Sequence, residues 1–515
     1  MIFILSALCL VAALTLCCIK HMHFFQLNSY KSAEHKVWIG RNKGPLLWLA
    51  ILALLHLVAL PMSAVFSAIV CTVISLLYAA TSKPRSKKRS KKPLVYTARV
   101  IRMLITETLM FAITALIFFL LLPIDLYPIY AAAALLLCPH ACMLANIINA
   151  PVEAAVRRYY LNDAVSLLRS HPSLKVVGIT GSYGKTSTKY YLHTLLSEKY
   201  DVLMTPGSYN TPMGVVKTIR SSLRATHEIF ICEMGAKYVG DIKELCEIVD
   251  PQLGLITSIG AQHLDTFGSL ERIVKTKLEL ADYIKGKNGR VFINGDCRLL
   301  LDNAEGCTVC SSSETADYTT SNVRADEHGT SFTVTLKGGT EINLTAAVLG
   351  AHNVSNLALA AALAYEMGLS PDEIRRGARK IESAPHRLQL LHRGKDIIID
   401  DAYNANPAGT KAALDALSLF DGYKIIVTPG MVELGKRSEE FNRELGVRAA
   451  KICDKIILVG KRQTESIYRG AIEAGYPKSS ISVYEKVTDA LSAAFAIASD
   501  SRKIILIEND LPDNY

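Results

Sequence analysis

Beyond residue 150 the chain lacks any excess of positive charge. Its 515 residues hold 57 Lys and Arg against 47 Asp and Glu, but 14 of the basic residues and only three of the acids lie in residues 1–150, which leaves 43 against 44 in the other 365. A nucleic-acid-binding body needs a basic face to neutralise phosphates, so the net charge of +10 does not point to a nucleic-acid partner. Residues 2–19 lack the positive charge that precedes the apolar stretch of a secretory leader. The first is Lys20, behind that stretch, which argues against a cleaved signal peptide. The body also lacks a disulfide framework: Cys232, Cys246, Cys297, Cys307, Cys310 and Cys453 follow no such spacing and fit a reducing compartment. Cys307 and Cys310 form a CxxC without a second pair, which reads as two ordinary buried thiols in preference to half a zinc site.

What the chain has in surplus is apolar: half of its residues are hydrophobic and the mean hydropathy is +0.24. Apolar runs occupy Ile2–Ile19, Leu46–Ala80, Met103–Leu122 and Leu126–Ile148, and a helix needs about 20 such residues to cross the hydrocarbon core. The second run is too long for one span, and Pro61 near its middle divides it into a hairpin of two short ones, giving five. Two polar loops, 20–45 and 81–102, carry all 14 basic residues, including the stretch SKPRSKKRSKKP. The positive-inside rule puts both loops in the cytoplasm. Five spans with the N-terminus outside satisfy it, and the same parity places everything after Ala150 in the cytoplasm. The basic stretch also attracts anionic lipid, by about 1 kcal/mol per charge near the surface. A multi-spanning α-helical membrane segment, residues 1–155, is therefore expected in the lipid bilayer, with few polar residues buried among its spans.

From Leu174 onward, apolar runs of strand length alternate with helical ones: LKVVGIT, TSTKYYLHTLLSEKY, EIFICEMG, GDIKELCEIV, LGLITSIG. This is the pattern of a parallel α/β sheet with covering helices. A second set starts at DIIIDDAYN and continues through YKIIVTPG, DKIILVG and KIILIEND. The expected body is a P-loop parallel-sheet ATPase domain at 156–393 and a smaller Rossmann-like C-terminal domain at 394–515, with a polar β insert over Ser311–Gly339.

The sharpest motif is Gly181-Ser-Tyr-Gly184-Lys185-Thr186-Ser187, set between a strand and a helix. Glycines let backbone N–H groups approach a phosphate chain, the helix N-terminus adds its dipole, Lys185 offers a charge to the β/γ-phosphates, and the Thr186 hydroxyl suits Mg²⁺. Glu233 closes the strand IFICE, where a carboxylate faces the mouth of the sheet and suits Mg²⁺ too. Taken alone, His263 reads as a structural or loop residue, Lys277 as a solvated helix charge, and Asn404–Pro407 as a turn.

Together these motifs resemble the Mur ligase family, the ATP-dependent amide-forming enzymes of peptidoglycan precursor synthesis. TPGSYNTPMG (205–214), EMGA followed by GDI, QHLDTFGSLE, GAHNVSN, DDAYNANP and GMVELG are most similar to its D-alanyl-D-alanine-adding branch, in register over about 170 to 460. The resemblance implies that Gly181, Gly184, Lys185, Thr186 and Ser187 hold ATP and that Thr186 with Glu233 holds one Mg²⁺. It implies a second Mg²⁺ at His263 and Lys277, the lysine N-carboxylated by CO₂. A neutral lysine amine that takes up CO₂ becomes a carbamate oxygen donor suited to a hard cation. His352, Asn353 and Asn356 resemble the adenine-side contacts, Arg387 the arginine that reaches the phosphates, and Asp401 with Tyr403, Asn404 and Asn406 the second domain's contribution. Lys185, Lys277, His263 and Arg387 are then the catalytic set. The implied reaction is attack of a substrate carboxylate on the γ-phosphate, then of an amine on the resulting acyl phosphate.

Three departures shape the expected partners. Membrane residues stand where the family has its UDP-binding domain, so the acceptor is expected to be a carboxylate-bearing cell-wall precursor, lipid-linked at the inner leaflet in one reading; in the other, the spans merely anchor the enzyme in the bacterial cell membrane. Glu508-Asn-Asp510-Leu-Pro-Asp-Asn-Tyr replaces a basic C-terminal turn, and acids there repel a donor's carboxylate, which leaves the amine donor open between amino acids and dipeptides. Ser258 replaces a frequent Asn, and Asn442 a frequent His. The competing classes are a membrane amide ligase of another polymer, similar to polyglutamate synthases, a transport ATPase, and an inactive scaffold. A transport ATPase is opposed by the lack of a hydrophobic strand ending in a Walker-B-type Asp, by the lack of an ABC-type signature and by the few polar residues expected to be buried in the spans, and decay by the joint presence of Lys185, Glu233, His263 and Lys277.

Overall fold

The computed structural model describes residues 2–509 apart from 42, 82–92, 261–263, 304, 314, 351, 404, 433, 435 and 436. Two compact units divide at Tyr159/Tyr160. The first is helical: α1 (Ile2–Leu27), α2 (Ser32–Arg41), α3 (Lys43–Leu55), α4 (Ala64–Thr81), α5 (Ala98–Leu121) and most of α6 (Tyr127–Arg169), whose last turns from Tyr160 belong to the second unit. Leu14, Leu52, Ile74 and Leu135, from α1, α3, α4 and α6, share one core.

Among the described residues, four helices are long and apolar enough to cross a membrane: α1, α4, α5 and the stretch Ile124–Arg169. The expected hairpin around Pro61 is there, but its first arm is apolar only over Leu46–Ala59, and at 1.5 Å per residue that is about 21 Å, short of a ~30 Å hydrocarbon core. Of the two short arms expected there, α4 is long and apolar enough to cross and the first is the shorter helix. The region 20–45, expected as a loop, is mostly helix. Phe24 stacks on Trp38 at 3.9 Å between ring centroids, and His21 and His35 are buried beside them. Arg99 and Arg102 also leave the expected loop for the first turns of α5, where Arg102 grips Glu153 at 2.6 and 2.8 Å and Arg99 donates to Asn146 Oδ1 at 2.9 Å. Polar residues are more numerous inside this unit than hydropathy suggests. His21, His35, His56, Ser75, Glu107 and Asn149 are all buried, with both Glu107 oxygens lacking a partner among the described residues. The expectation of few buried polar groups, one argument against a transport ATPase, does not hold.

The second unit contains two sheets. The larger comprises β1 (Lys175–Thr180), β2 (Val202–Met204), β3 (Ile229–Glu233), β4 (Leu253–Ile256), β5 (Arg290–Asn294), β6 (Thr308–Ser311), β7 (Tyr318–Asp326), β8 (Gly329–Thr335) and β9 (Glu341–Ala346), in the order β2-β3-β1-β4-β5-β6-β7-β8-β9. The strands from β1 to β6 pair in parallel, β7 joins β6 in parallel as well, and β7, β8 and β9 pair antiparallel with one another over most of the expected insert. Parallel strands need cover on both faces, and alternate residues supply it. Val177 and Ile179 enter one core, with the helix α7 (Lys185–Leu196), and Val176 enters the other. The register places Ile179 of β1 opposite Glu233 of β3, so the glycine turn after β1 and that carboxylate leave neighbouring strands at the same edge.

The second sheet has the order β10-β11-β15-β12-β13-β14, from β10 (Gln389–Arg393), β11 (Asp396–Asp401), β12 (Tyr423–Thr428), β13 (Lys455–Val459), β14 (Ile481–Tyr484) and β15 (Lys503–Glu508). All pair in parallel except β10, an edge strand antiparallel to β11. Residues 389–393 precede the expected boundary at 393/394 yet belong to this sheet; QLLHR is too polar and exposed to announce a strand.

Glu508 does not form an acidic turn facing a substrate. It ends β15 fully buried and accepts hydrogen bonds from the hydroxyls of Thr410 and Thr428; Asp510 lies outside the described residues. Burial pushes its carboxyl up to about 7 from an ordinary 4.5, against the two hydroxyls. A value raised in the folded state means that this group's stabilisation is complete below pH 4.5 and lost as pH climbs through 7. Glu508→Gln should match the wild type in thermal melts at about pH 4 and be more stable at about pH 8, by roughly 3 kcal/mol. Parallel melting profiles across that range would contradict this.

Candidate active site

The turn after β1 is shaped by two glycines. Gly181 has φ +147°, and a Cβ there would lie 2.1 Å from Thr257 Oγ1; Gly184 has φ +82°, and a Cβ there would lie 2.6 Å from Asn356 Oδ1. Side chains are excluded at both places by conformation and by space. The loop is tied down by the segment after β4: Ser182 N donates to Ser258 O at 2.6 Å, Tyr183 N to Ser258 Oγ at 3.3 Å, and Ser258 Oγ to Tyr183 O at 3.1 Å. Ser258, a departure from the family pattern, is therefore a brace of the glycine turn. Thr186 and Ser187 follow in the first turn of α7. Lys185 turns its ammonium inward onto the carbonyls of Gly181 (2.7 Å) and Ser182 (3.1 Å). Burial lowers its pKa to about 8, Glu233 opposing and Arg387 adding to the shift.

Glu233 is 1 % exposed and is surrounded by donors from three directions. Thr186 Oγ1 reaches its two oxygens at 3.1 and 3.2 Å, Asn210 Nδ2 reaches Oε1 at 3.0 Å, and Lys189 Nζ reaches Oε2 at 3.0 Å. Burial raises the carboxyl's pKa, but Lys189, Lys185 and Asn210 outweigh it and hold the group below its usual range. A carboxylate kept ionised beside a hydroxyl at the end of the glycine turn is a donor set of the hard, oxygen type that Mg²⁺ requires.

Lys277, on the helix Leu270–Lys285, is buried. Burial drives its pKa well down, and the charge of Lys185 adds to that. Arg387 donates to Tyr403 O at 2.9 Å, lies over the Tyr403 ring at 4.3 Å, and feels the charges of Asp401 and Glu233. Asp401 accepts from Leu388 N at 3.2 Å, and burial lifts its carboxyl to about 6 against the pull of Arg387. Flanking Arg387, His386 and Leu388 both hold positive φ, +59° and +49°. Side chains strain such backbone, and strain of this kind gathers at functional segments.

The structure thus brings Gly181, Gly184, Lys185, Thr186, Ser187 and Glu233 together, with Lys277 and Arg387 within reach of their field. Asn356 packs on Gly184. Asn353 is otherwise engaged: it accepts from Tyr191 OH at 3.0 Å and donates to Leu349 O at 2.8 Å, which ties α7 to the helix His352–Glu366 from the inside. His263 and Asn404 lie outside the described residues. Among the described residues no three His, Cys, Asp or Glu side chains form a preformed metal cluster, and Cys310 is a buried thiol of β6. Asn442 braces the turn after β12 through Met431, accepting from its N at 2.8 Å and donating to its O at 2.9 Å. Sequence reasoning missed Lys189 and Asn210. The signal for Lys189 is its place one helical turn after Lys185, which puts both on one face of α7.

Comparison with known proteins agrees with this geometry. A model of the Mur ligase middle domain matches residues 179–364, and one of the Mur ligase glutamate ligase domain matches residues 386–508. The UDP-N-acetylmuramoyl-tripeptide–D-alanyl-D-alanine ligase of Bacillus subtilis (strain 168) is 33% identical over 337 residues, covering 64% of this chain and 72% of that protein. The enzyme of the same name from Escherichia coli (strain K12) is 30% identical, over 59% and 69% of the two chains. Among solved structures, MurF from Acinetobacter baumannii superposes with TM-score 0.61 at 26% identity, covering 69% of this chain and 77% of that one. The Thermotoga maritima MurF ligase in complex with ADP also gives 0.61 at 26% identity, over 69% and 80%.

The lowered Lys185 pKa carries a sign. With a value of about 8 the ammonium loses its proton as pH rises through that point, and with it the charge offered to phosphates. Affinity of the free protein for ATP, measured by calorimetry, should weaken above about pH 8, whereas Lys185→Arg, whose guanidinium stays charged, should lose that pH dependence. A flat wild-type profile to about pH 9.5 would contradict the assignment.

Proposed function

The chain belongs to the Mur ligase family and is an ATP-dependent acid–amino-acid ligase of that type, and we propose that it forms its amide bond at the membrane surface, on a cell-wall precursor, through an acyl phosphate. The observation that carries this reading is the ionised, buried Glu233 hydrogen-bonded to Thr186 beside the P-loop, with Lys185, Lys277 and Arg387 converging on the same place. Two anions have to meet in the first step, a carboxylate and a triphosphate. Lys185 and Arg387 offset their repulsion and the charge on the transferring oxygens, while the N–H groups of the 181–184 turn orient the phosphates. The carboxylate oxygen bonds to the γ-phosphorus and ADP departs with the β–γ bridging oxygen. An amine then attacks the acyl carbonyl, inorganic phosphate leaves, and the amine's proton is lost. Thr186 and Glu233 would hold one Mg²⁺ and His263 with Lys277 a second; when bound, the ions supply charge neutralisation at the phosphates. A buried ammonium is a poor metal ligand, so Lys277 fits the second site as a carbamate, for which a neutral amine is the reactant. The smaller domain, which includes β10, excludes water from the acyl phosphate.

Residues 1–155 take the place of a UDP-binding domain in this reading. Their spans hold the catalytic domains at the cytoplasmic face of a bacterial membrane, and the acceptor is a carboxylate-bearing precursor on a lipid carrier. With Glu508 buried, that residue's share of the objection to a donor bearing its own carboxylate falls away, and D-alanyl-D-alanine, for which the bacterial relatives are named, is the leading donor ahead of single amino acids.

The test is ADP formation by the full chain in nanodiscs, offered UDP-linked and undecaprenyl-linked muramoyl peptide in turn, each with D-alanyl-D-alanine or single amino acids. Turnover should require both a carboxylate and an amine, prefer the lipid-linked acceptor, and fall at least ~100-fold in Lys185→Ala. Phosphate release that needs no such pair would remove the ligase reading, and exclusive use of the UDP-linked acceptor would remove the lipid-linked part. With ¹³C-bicarbonate, a carbamate resonance should appear in the wild type and be missing from Lys277→Ala.

A further inference from the structure

Lys189 is completely buried. Its ammonium donates to Glu233 Oε2 at 3.0 Å and to the carbonyl of Gly207. Burying an ammonium costs several kcal/mol unless it is both paired and hydrogen-bonded, and its two acceptors satisfy these needs from different elements. One is the carboxylate that ends β3; the other lies in the loop that follows β2. That loop holds Glu233 from a second side as well, through Asn210 Nδ2 on Oε1 at 3.0 Å, and Gly235 N donates to Asn210 O at 2.8 Å. A Cβ on Gly235 would lie 2.7 Å from the Asn210 side chain, so the loop is seated as closely as the backbone allows. The loop's outer side carries Tyr209, which is exposed and accepts from Lys217 Nζ at 3.3 Å, a cationic and aromatic surface suited to a carboxylate-bearing acceptor.

A divalent ion at Glu233 changes this arrangement. Thr186 remains as a fellow ligand, and Asn210 is neutral. Lys189 would be a second cation on the same carboxylate, and like charges held close together repel strongly away from water. We propose that Lys189 is a positioning residue that couples metal loading at Glu233 to the seating of the 205–211 loop. Without a divalent ion its ammonium is shared between the carboxylate and Gly207; when the carboxylate turns to the metal, Gly207 is the acceptor that remains, and the loop carrying Tyr209 and Asn210 is drawn to it. The enzyme then orders its acceptor surface only once the nucleotide's metal is in place. This inference rests on the reading of Thr186 and Glu233 as a metal site.

The test uses the full chain in nanodiscs with Mn²⁺ alone as probe, read by electron paramagnetic resonance, beside hydrogen–deuterium exchange of peptides covering 205–211. Lys189→Met should bind Mn²⁺ about tenfold more tightly, because a competing cation is gone. Its 205–211 segment should exchange faster than the wild type's and no longer respond to Mn²⁺, while exchange in β1 and β3 is unchanged. A variant with wild-type Mn²⁺ affinity, or with wild-type loop exchange, overturns the coupling and leaves the metal reading standing. If Lys189→Met loses protection in β1 and β3 as well, the wild type decides: exchange at 205–211 that shifts on Mn²⁺ addition supports the coupling, and exchange that does not shift overturns it. Failure of Mn²⁺ to bind the wild type, or its undiminished binding to Glu233→Gln, removes the metal reading and the coupling together.

Discussion

A single carboxylate, that of Glu233, organises the catalytic unit. Ionised and shut away from water, it needs compensation worth several kcal/mol, and the chain supplies it from separate segments: the hydroxyl of Thr186, the ammonium of Lys189 and the amide of Asn210. Each donor fixes something else. Thr186 is in place only if the glycine turn ahead of it closes, Lys189 only if α7 packs inward, and Asn210 only if the loop after β2 folds back onto β3. The register of β1 against β3 makes the convergence possible, because both strands end at one edge of a parallel sheet.

Around that anion stand further cations. Lys185 rests on two carbonyls of its own loop, Lys277 is buried, and Arg387 is laid against Tyr403. Burial lowers the pKa of all three. Such an arrangement is unfavourable in the folded protein and useful to a reaction that must bring a carboxylate against a triphosphate, since the positive field is already oriented when the anions arrive. The backbone strain at His386 and Leu388 lies at the entry to the second sheet, where Arg387 feels the charge of Asp401.

The parts that were legible in the sequence are local. The glycine turn with Lys185 and Thr186 lies within seven consecutive residues, and Glu233 closes an apolar strand, so chemistry and fold coincide in one stretch. Lys277 acquired meaning only through family resemblance, because a lysine on a helix otherwise reads as solvated. Lys189 escaped for the same reason: its burial depends on Gly207 and Glu233, 18 and 44 residues away. Glu508 was misjudged because its charge was read without Thr410 and Thr428, which lie far off in the chain and reach it from a helix and from a strand of the same sheet. In the helical unit, hydropathy located the long helices but treated 20–45 as a loop, since it does not register the stacking of Phe24, His35 and Trp38. β10 is an exposed edge strand whose pairing with β11, not its composition, makes it a strand.

Activation of a carboxylate by ATP leaves an isotopic trace that binding alone cannot produce. With the acceptor's carboxyl labelled with ¹⁸O and an amine donor present, one labelled oxygen should pass to inorganic phosphate for each amide formed. Product amide formed with unlabelled phosphate would contradict activation through an acyl phosphate at this site.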